Sequence, residues 1–228
     1  MATPPQQLEL FAAPPPLTRE EAMERLRGRL GEDLRPLSDQ YGLTQPGVAP
    51  LNKGWAGLTV ERLLGLAPNN EQAPDFGDWE LKVLPLKVRS RAKGSAQAGM
   101  LSIKGPLALT KCQLNTLLDT PFEESHVWHK TRRLLLVARL YHCSEERRSP
   151  LYGLAPFDLD KSPLKEEFKA EYEALQWALR TQGVMALKGE QGRLLALQDQ
   201  GEYKGWSFYA QRPLLAAALQ GLITSAPP

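Results

Sequence analysis

At 228 residues the chain can bury a full core, as one domain or as two close lobes. Its net charge of +2 points to no partner by itself. Two cysteines, Cys112 and Cys143, are too few for a disulfide framework or a structural zinc site. No apolar run reaches membrane-spanning length, and prolines stand where a signal peptide needs an apolar core. A soluble protein of a reducing cytoplasm is the expectation.

Residues 1–17 are rich in proline, alanine and glutamine and are expected to form a disordered tail, with the folded part spanning 18–228. Inside the tail, Gln7, Leu8, Leu10 and Phe11 form an apolar island with no helix or strand nearby to pack on. Thr18-Arg19-Glu20-Glu21 is a capping box, and a helix should follow to about Leu30. A proline-broken loop from Gly42 to Asn52 leads to a second helix, Trp55 to Leu66, which carries Glu61. The next stretch, Asn69 to Val88, is the one around which the chain is organised. Read as a strand, it turns Trp79, Leu81 and Val83 to one face and Glu80 and Lys82 to the other, a carboxylate beside an ammonium. Asp75, on the turn before it, can fold back toward that pair. Carboxylate oxygens with water and a phosphate oxygen make the hard shell that Mg²⁺ prefers, and an adjacent lysine can position a water for attack on phosphorus. Asp78 competes with Asp75 for this role, but the Pro74-Asp75-Phe76 context favours Asp75, and a solvated Glu/Lys pair is the plain alternative for the strand itself.

From Leu81 to Leu118 there is no acidic residue, against Lys82, Lys87, Arg89, Arg91, Lys93, Lys104 and Lys111. A second acid-free tract, Ser125 to Ser144, carries Lys130, Arg132, Arg133 and Arg139. Such basic tracts beside an acidic site suit a phosphodiester ligand. Gly94 and Gly99 suggest a loop, and Met100 to Ile103 a strand. Ser125 should cap a short helix through Arg132, in which His126 and His129 are helix residues and not zinc ligands. Leu134 to Tyr141 reads as a buried central strand. Ser162-Pro163 should open a helix with the apolar stripe Leu164, Phe168, Tyr172, Leu175 and Leu179, closed by Gly183. Arg193 to Leu197 and Trp206 to Ala210 read as strands around a polar loop, and Pro213 opens a last helix from Leu214 to Ile223. Alternating helices and strands predict an α/β domain with a mixed sheet.

Several words in this order carry a resemblance: Lys53-Gly54-Trp55-Ala56-Gly57, then Glu61, Asp75-Phe76, Glu80-Leu81-Lys82 and Ser125-His126-Val127-Trp128-His129-Lys130. From about Lys53 to Tyr209 the chain resembles the MutH-type mismatch repair endonucleases and the GATC-cutting type II restriction enzymes related to them. The resemblance implies a restriction-endonuclease-like fold, its mixed central sheet flanked by helices. It implies an Mg²⁺-dependent DNA endonuclease leaving 5′-phosphate ends, with Asp75, Glu80 and the Leu81 carbonyl on the metal, Lys82 acting on the water, and Glu61 and Lys130 in the same cluster. Double-stranded DNA and a MutL-type repair ATPase are the implied partners, with nicking of the unmethylated strand at GATC as the implied reaction and double-strand restriction as the alternative. Arg89, Arg91 and Lys93 are candidate DNA contacts in the basic loop. Gly205 to Tyr209 resembles the segment whose tyrosine lies against the adenine of GATC, and a core tyrosine is the other reading of Tyr209. The relatives' second base-reading segment has Arg-Pro where this chain has Gln198-Asp199, so Arg193 or Arg212 must supply that contact or the target differs. In the tail, Gln7 to Phe11 looks like the Q-L-x-L-F peptide that binds the replication sliding clamp, an extended peptide placing leucine and phenylalanine in an apolar groove.

Overall fold

The computed structural model describes residues 17–50, 53–66, 73–88, 101–143, 145–188, 192–220 and 222. Gln7, Leu8, Leu10, Phe11, Arg89, Arg91 and Lys93 lie outside the described residues. Two sheets organise the described residues. The first has four strands in the order β2-β1-β4-β5, namely Leu101–Ile103, Glu80–Val88, Arg133–Leu140 and Leu151–Asp158. Its β1 and β4 run parallel, with Glu80 opposite Leu134 and Lys82 opposite Leu136, while β2 and β5 join antiparallel at the edges. That mixture matches the α/β expectation. A second sheet, wholly antiparallel, holds β3 (Leu107–Cys112), β7 (Trp206–Ala210) and β6 (Leu195–Asp199) in that order.

The parallel pair explains the composition of β4. A central strand covered on both faces has no solvated side, and Leu134 to Ala138 are all essentially buried. One apolar cluster joins Leu136 and Ala138 of β4 to Phe122, Phe168, Tyr172 and Phe208 and so spans both sheets. The opposite face, from Leu135 and Val137, packs on Trp55, Trp79, Leu26 and Leu34.

Among the described residues, seven α-helices cover these sheets: α1 (Arg19–Arg27), α2 (Leu34–Gln40), α3 (Trp55–Leu63), α4 (Leu114–Asp119), α5 (His126–Thr131), α6 (Lys165–Gln182) and α7 (Arg212–Ala218). The Thr18 capping box forms as its sequence requires, each side chain bonding the other's backbone. Ser125 caps α5 by accepting from the Trp128 amide at 3.2 Å. The stripe on α6 is buried as expected, with Gly183 ending the helix at φ 77°.

Several boundaries differ from the sequence expectation. Helix α1 stops at Arg27 and α3 at Leu63, a turn or so early. Ser162 does not cap α6: its hydroxyl accepts from the Leu164 amide in a turn, and the helix starts at Lys165. Trp79 lies outside the strand, although it packs with Leu81 as the alternation requires. Strand β6 starts at Leu195, and α7 ends at Ala218. Strands β3 and β5 and helices α2 and α4 have no counterpart in the sequence reading. Strand β5 is interrupted by Gly153 and Pro156, which hid its pattern.

Candidate active site

The parallel pairing of β1 with β4 brings the acidic cluster into existence. Glu80 is the first residue of β1, fully buried at 0% exposure. A carboxylate in that position requires compensating partners. Lys82, two residues on and therefore on the same face, donates from Nζ to Glu80 Oε1 at 2.6 Å. Lys130, near the end of α5 and itself buried, donates to the same oxygen at 3.2 Å. The other oxygen, Oε2, accepts the Asp75 backbone amide at 3.1 Å. Asp75 Oδ1 lies 3.9 Å from Lys130 Nζ. A turn, a strand and a helix thus converge on one carboxylate.

The turn that presents Asp75 is built from its own sequence. Gly77 adopts φ 80°, a left-handed conformation that suits glycine, and its amide bonds the Pro74 carbonyl at 3.2 Å. The Phe76 and Trp79 rings stack in parallel, 4.0 Å apart. Asp78 pairs with Arg133, away from Glu80, and so does not join the cluster.

Glu61 reaches the same region from α3. Its carboxyl lies within electrostatic reach of Asp75, Lys82, Glu80 and Lys130. Gly57, one turn earlier on the helix, leaves space beside it: a methyl there would come within 3.9 Å of Glu61 Oε1. Burial pushes the Glu61 carboxyl above the usual carboxylate range, and repulsion from Asp75 and Glu80 adds to it against the opposing pull of the lysines. Asp75 is raised in the same way, by burial first and then by Glu80, while Lys82, Lys130 and the Leu81 amide pull it down.

This donor set suits a hard cation. Burial and mutual repulsion raise the proton affinity of Asp75 and Glu61, and the carboxylate oxygens of Asp75 and Glu80, brought together at the head of β1, are the hard donors that such an ion takes. Among the described residues no three His, Cys, Asp or Glu side chains are grouped closely enough to enclose an ion. The fit is therefore that of a two-carboxylate site completed by backbone oxygen, water or substrate. His126 and His129 remain helix residues, as expected. Beside Lys130 opens a cavity of about 830 Å³ between α4, α5 and the second sheet, lined by Lys111, Gln113, His126, Lys204 and Trp206 among others. Lys111, expected in a basic tract beside the acidic cluster, gives it a basic wall together with Lys204, which the sequence did not connect to that cluster.

The candidate base-reading residues gather elsewhere. Tyr209 pairs with Ala196 and Gln198 with Ser207, so Tyr209 and Gln198 share the face of the second sheet opposite Phe208 and Leu197. Tyr209 is half-buried, which sets it apart from the core aromatics. Arg212, exposed at the start of α7, follows closely. Arg193 instead faces α6, where Glu167 holds its guanidinium in two bonds of 2.7 and 2.5 Å. Asp199 turns into its own hairpin, accepting the Gly201 amide at 2.9 Å.

The chain is thus a mixed-sheet α/β protein with a buried carboxylate–lysine cluster at the end of a parallel strand pair. It matches the family model of the DNA mismatch repair enzyme MutH over residues 64–158, which include Asp75, Glu80, Lys82 and Lys130. It is 26% identical to the DNA mismatch repair protein MutH of Vibrio cholerae serotype O1 over 191 residues, covering 81% of this chain and 80% of that protein. With the MutH of Klebsiella pneumoniae subsp. pneumoniae it shares 28% identity over 127 residues, 55% of this chain and 50% of that one. Over the region that carries the carboxylate–lysine cluster the chain is similar to the MutH-type mismatch repair proteins. Among solved structures, a complex of the restriction endonuclease MvaI with cognate DNA aligns at 12% identity with a TM-score of 0.36, covering 88% of this chain and 97% of that chain. No helix among the described residues is long and apolar enough to cross a membrane.

Proposed function

We propose that this protein is an Mg²⁺-dependent DNA endonuclease that nicks the unmethylated strand at GATC-type sites in methyl-directed mismatch repair. The observation that carries the reading is the meeting of Asp75, Glu80, Lys82 and Lys130 on one buried carboxylate, from segments 50 residues apart. The relation to MutH supports it.

Asp75, Glu80 and the Leu81 carbonyl would hold the ion. Bound there, Mg²⁺ supplies charge neutralisation at the scissile phosphate and a bound water of lowered pKa. Lys82 and Lys130 offset the charge of the carboxylate pair. Lys82, beside the carboxylate pair, would orient the attacking water or stabilise charge developing on phosphorus. Glu61, within electrostatic reach of Asp75 and Glu80, would belong to the same cluster. The basic wall with Lys111 and Lys204 suits the backbone of the bound strand. Tyr209 and Gln198 face outward together and are candidates for reading adenine, Tyr209 by steric fit against a methyl group and Gln198 by hydrogen bonds. A MutL-type ATPase and the sliding clamp are the proposed partners, the clamp through Gln7 to Phe11.

The test is incubation with supercoiled plasmids carrying unmethylated, hemimethylated or fully methylated GATC, beside one without the site. Nicking of the unmethylated and hemimethylated plasmids alone is expected. Conversion to linear DNA would move the protein to the type II restriction enzymes, and equal cutting of all four would remove the sequence reading.

A further inference from the structure

Glu80 and Asp75 are held by different means. Glu80 belongs to a ladder, with Leu134 as its parallel neighbour. Asp75 has no ladder; its place depends on how the turn from Ala73 to Trp79 is anchored.

Two links tie that turn to the root of α1. In the first, Arg19, 7% exposed, donates to Asp158 Oδ1 at 2.5 Å and Oδ2 at 3.1 Å, and to the Leu134 carbonyl at 3.3 Å. Arg133 Nε lies 3.9 Å from the same Asp158, and its other end pairs with Asp78. In the second, Trp79 Nε1 donates to the Leu17 carbonyl at 3.0 Å, while the Trp79 ring stacks on Phe76, the neighbour of Asp75. Neither link includes an atom of the carboxylate–lysine cluster, yet both end on the turn that carries Asp75, at Asp78 and at Trp79. A turn so close to an ion site must hold its carboxylate to a fraction of an ångström.

We propose that Arg133 and Asp78, backed by Asp158 and Arg19, are positioning residues that set the metal affinity of the Asp75–Glu80 pair, with Leu17 and Trp79 acting in parallel. This rests on the metal-site reading of the proposed function. The test uses the full chain and Tb³⁺, whose luminescence is excited through tryptophan, in a titration without DNA, with Mg²⁺ half-saturation of plasmid nicking measured alongside. Asp78→Asn and Arg133→Gln should each weaken Tb³⁺ binding about fivefold, the upper range for a partly exposed ion pair. The double variant should be no weaker than either single one, because the two residues act through each other. Arg133→Lys should recover part of the loss, Trp79→Phe should weaken binding in the same direction, and saturating Mg²⁺ should restore nicking in all of them. Tb³⁺ binding by Asp78→Asn and Arg133→Gln equal to that of the unsubstituted chain would overturn the inference, as would losses that add in the double variant. If Glu80→Gln binds Tb³⁺ as well as the unsubstituted chain, the metal-site reading itself fails, an outcome separate from the first two.

Discussion

The two sheets use charge in opposite ways. At the head of β1, Glu80 and Lys130 are buried and satisfied by groups far away in sequence. Around the second sheet, Arg193, just before β6, pairs with Glu167 of α6 at the exposed surface, Asp199 caps its own turn, and Tyr203 at the hairpin tip is 97% exposed. The first arrangement holds charged groups in fixed, buried places; the second leaves side chains accessible to solvent. A buried charge depends on every member of its cluster, so a single loss strands the others. An exposed one depends on almost nothing, and its removal costs little.

The sharpest break is at the cluster. Glu80→Gln should lower nicking on the order of 10³-fold while DNA binding in Ca²⁺ persists, measured by single-turnover plasmid cleavage and by gel shift. A loss below about tenfold would deny the first sheet its chemical role. Lys82→Ala should lower rate more than affinity in the same assays.

Stability should divide along the same line. Leu136, fully buried and paired with Lys82 across the parallel ladder, should cost about 3 kcal/mol when changed to alanine. Tyr203→Ala should stay within about 0.5 kcal/mol, since its side chain is in solvent. Urea unfolding of both variants checks the contrast, and equal losses would erase it.

A third test uses acid. The Arg19 guanidinium bonded to Asp158 holds that carboxyl below the usual carboxylate range. A folded pKa below the unfolded one contributes stability that is complete above the unfolded value, about 3.9, and is lost as pH falls through the folded value. Asp158→Asn should therefore destabilise the protein at neutral pH, and the difference from the unsubstituted chain should shrink below about pH 3.9. A difference constant from neutral pH down into that range would show that the ion pair is not its source.

The smallest expected effect is on recognition. Tyr209→Phe should leave stability and nicking of unmethylated sites nearly unchanged, whereas Tyr209→Ala should weaken discrimination against methylated GATC, seen in the ratio of nicking rates on the two plasmids. Unchanged discrimination in the alanine variant would return Tyr209 to a packing role.

Local signals in the sequence reached part of this structure. The capping box at Thr18, the Ser125 cap, the stripe of α6 and the pleat that sets Glu80 beside Lys82 each depend on neighbours a few residues apart, and each is present. Boundaries drifted where caps compete, as at Ser162, and β5 escaped notice because Gly153 and Pro156 break its pattern.

Local chemistry thus determined that Glu80 and Lys82 would share a face, because alternation along a strand needs no tertiary partner. It favoured Asp75 over Asp78 only through the Pro74-Asp75-Phe76 context, and it could not join Lys204 to the same site. Those were decided by the parallel pairing of β1 with β4, which puts Arg133 within reach of Asp78, and by the packing of α5, which brings Lys130 to Glu80. Contacts of that kind span tens of residues, and the burial that makes Glu80 need its lysines exists only once both faces of the sheet are covered.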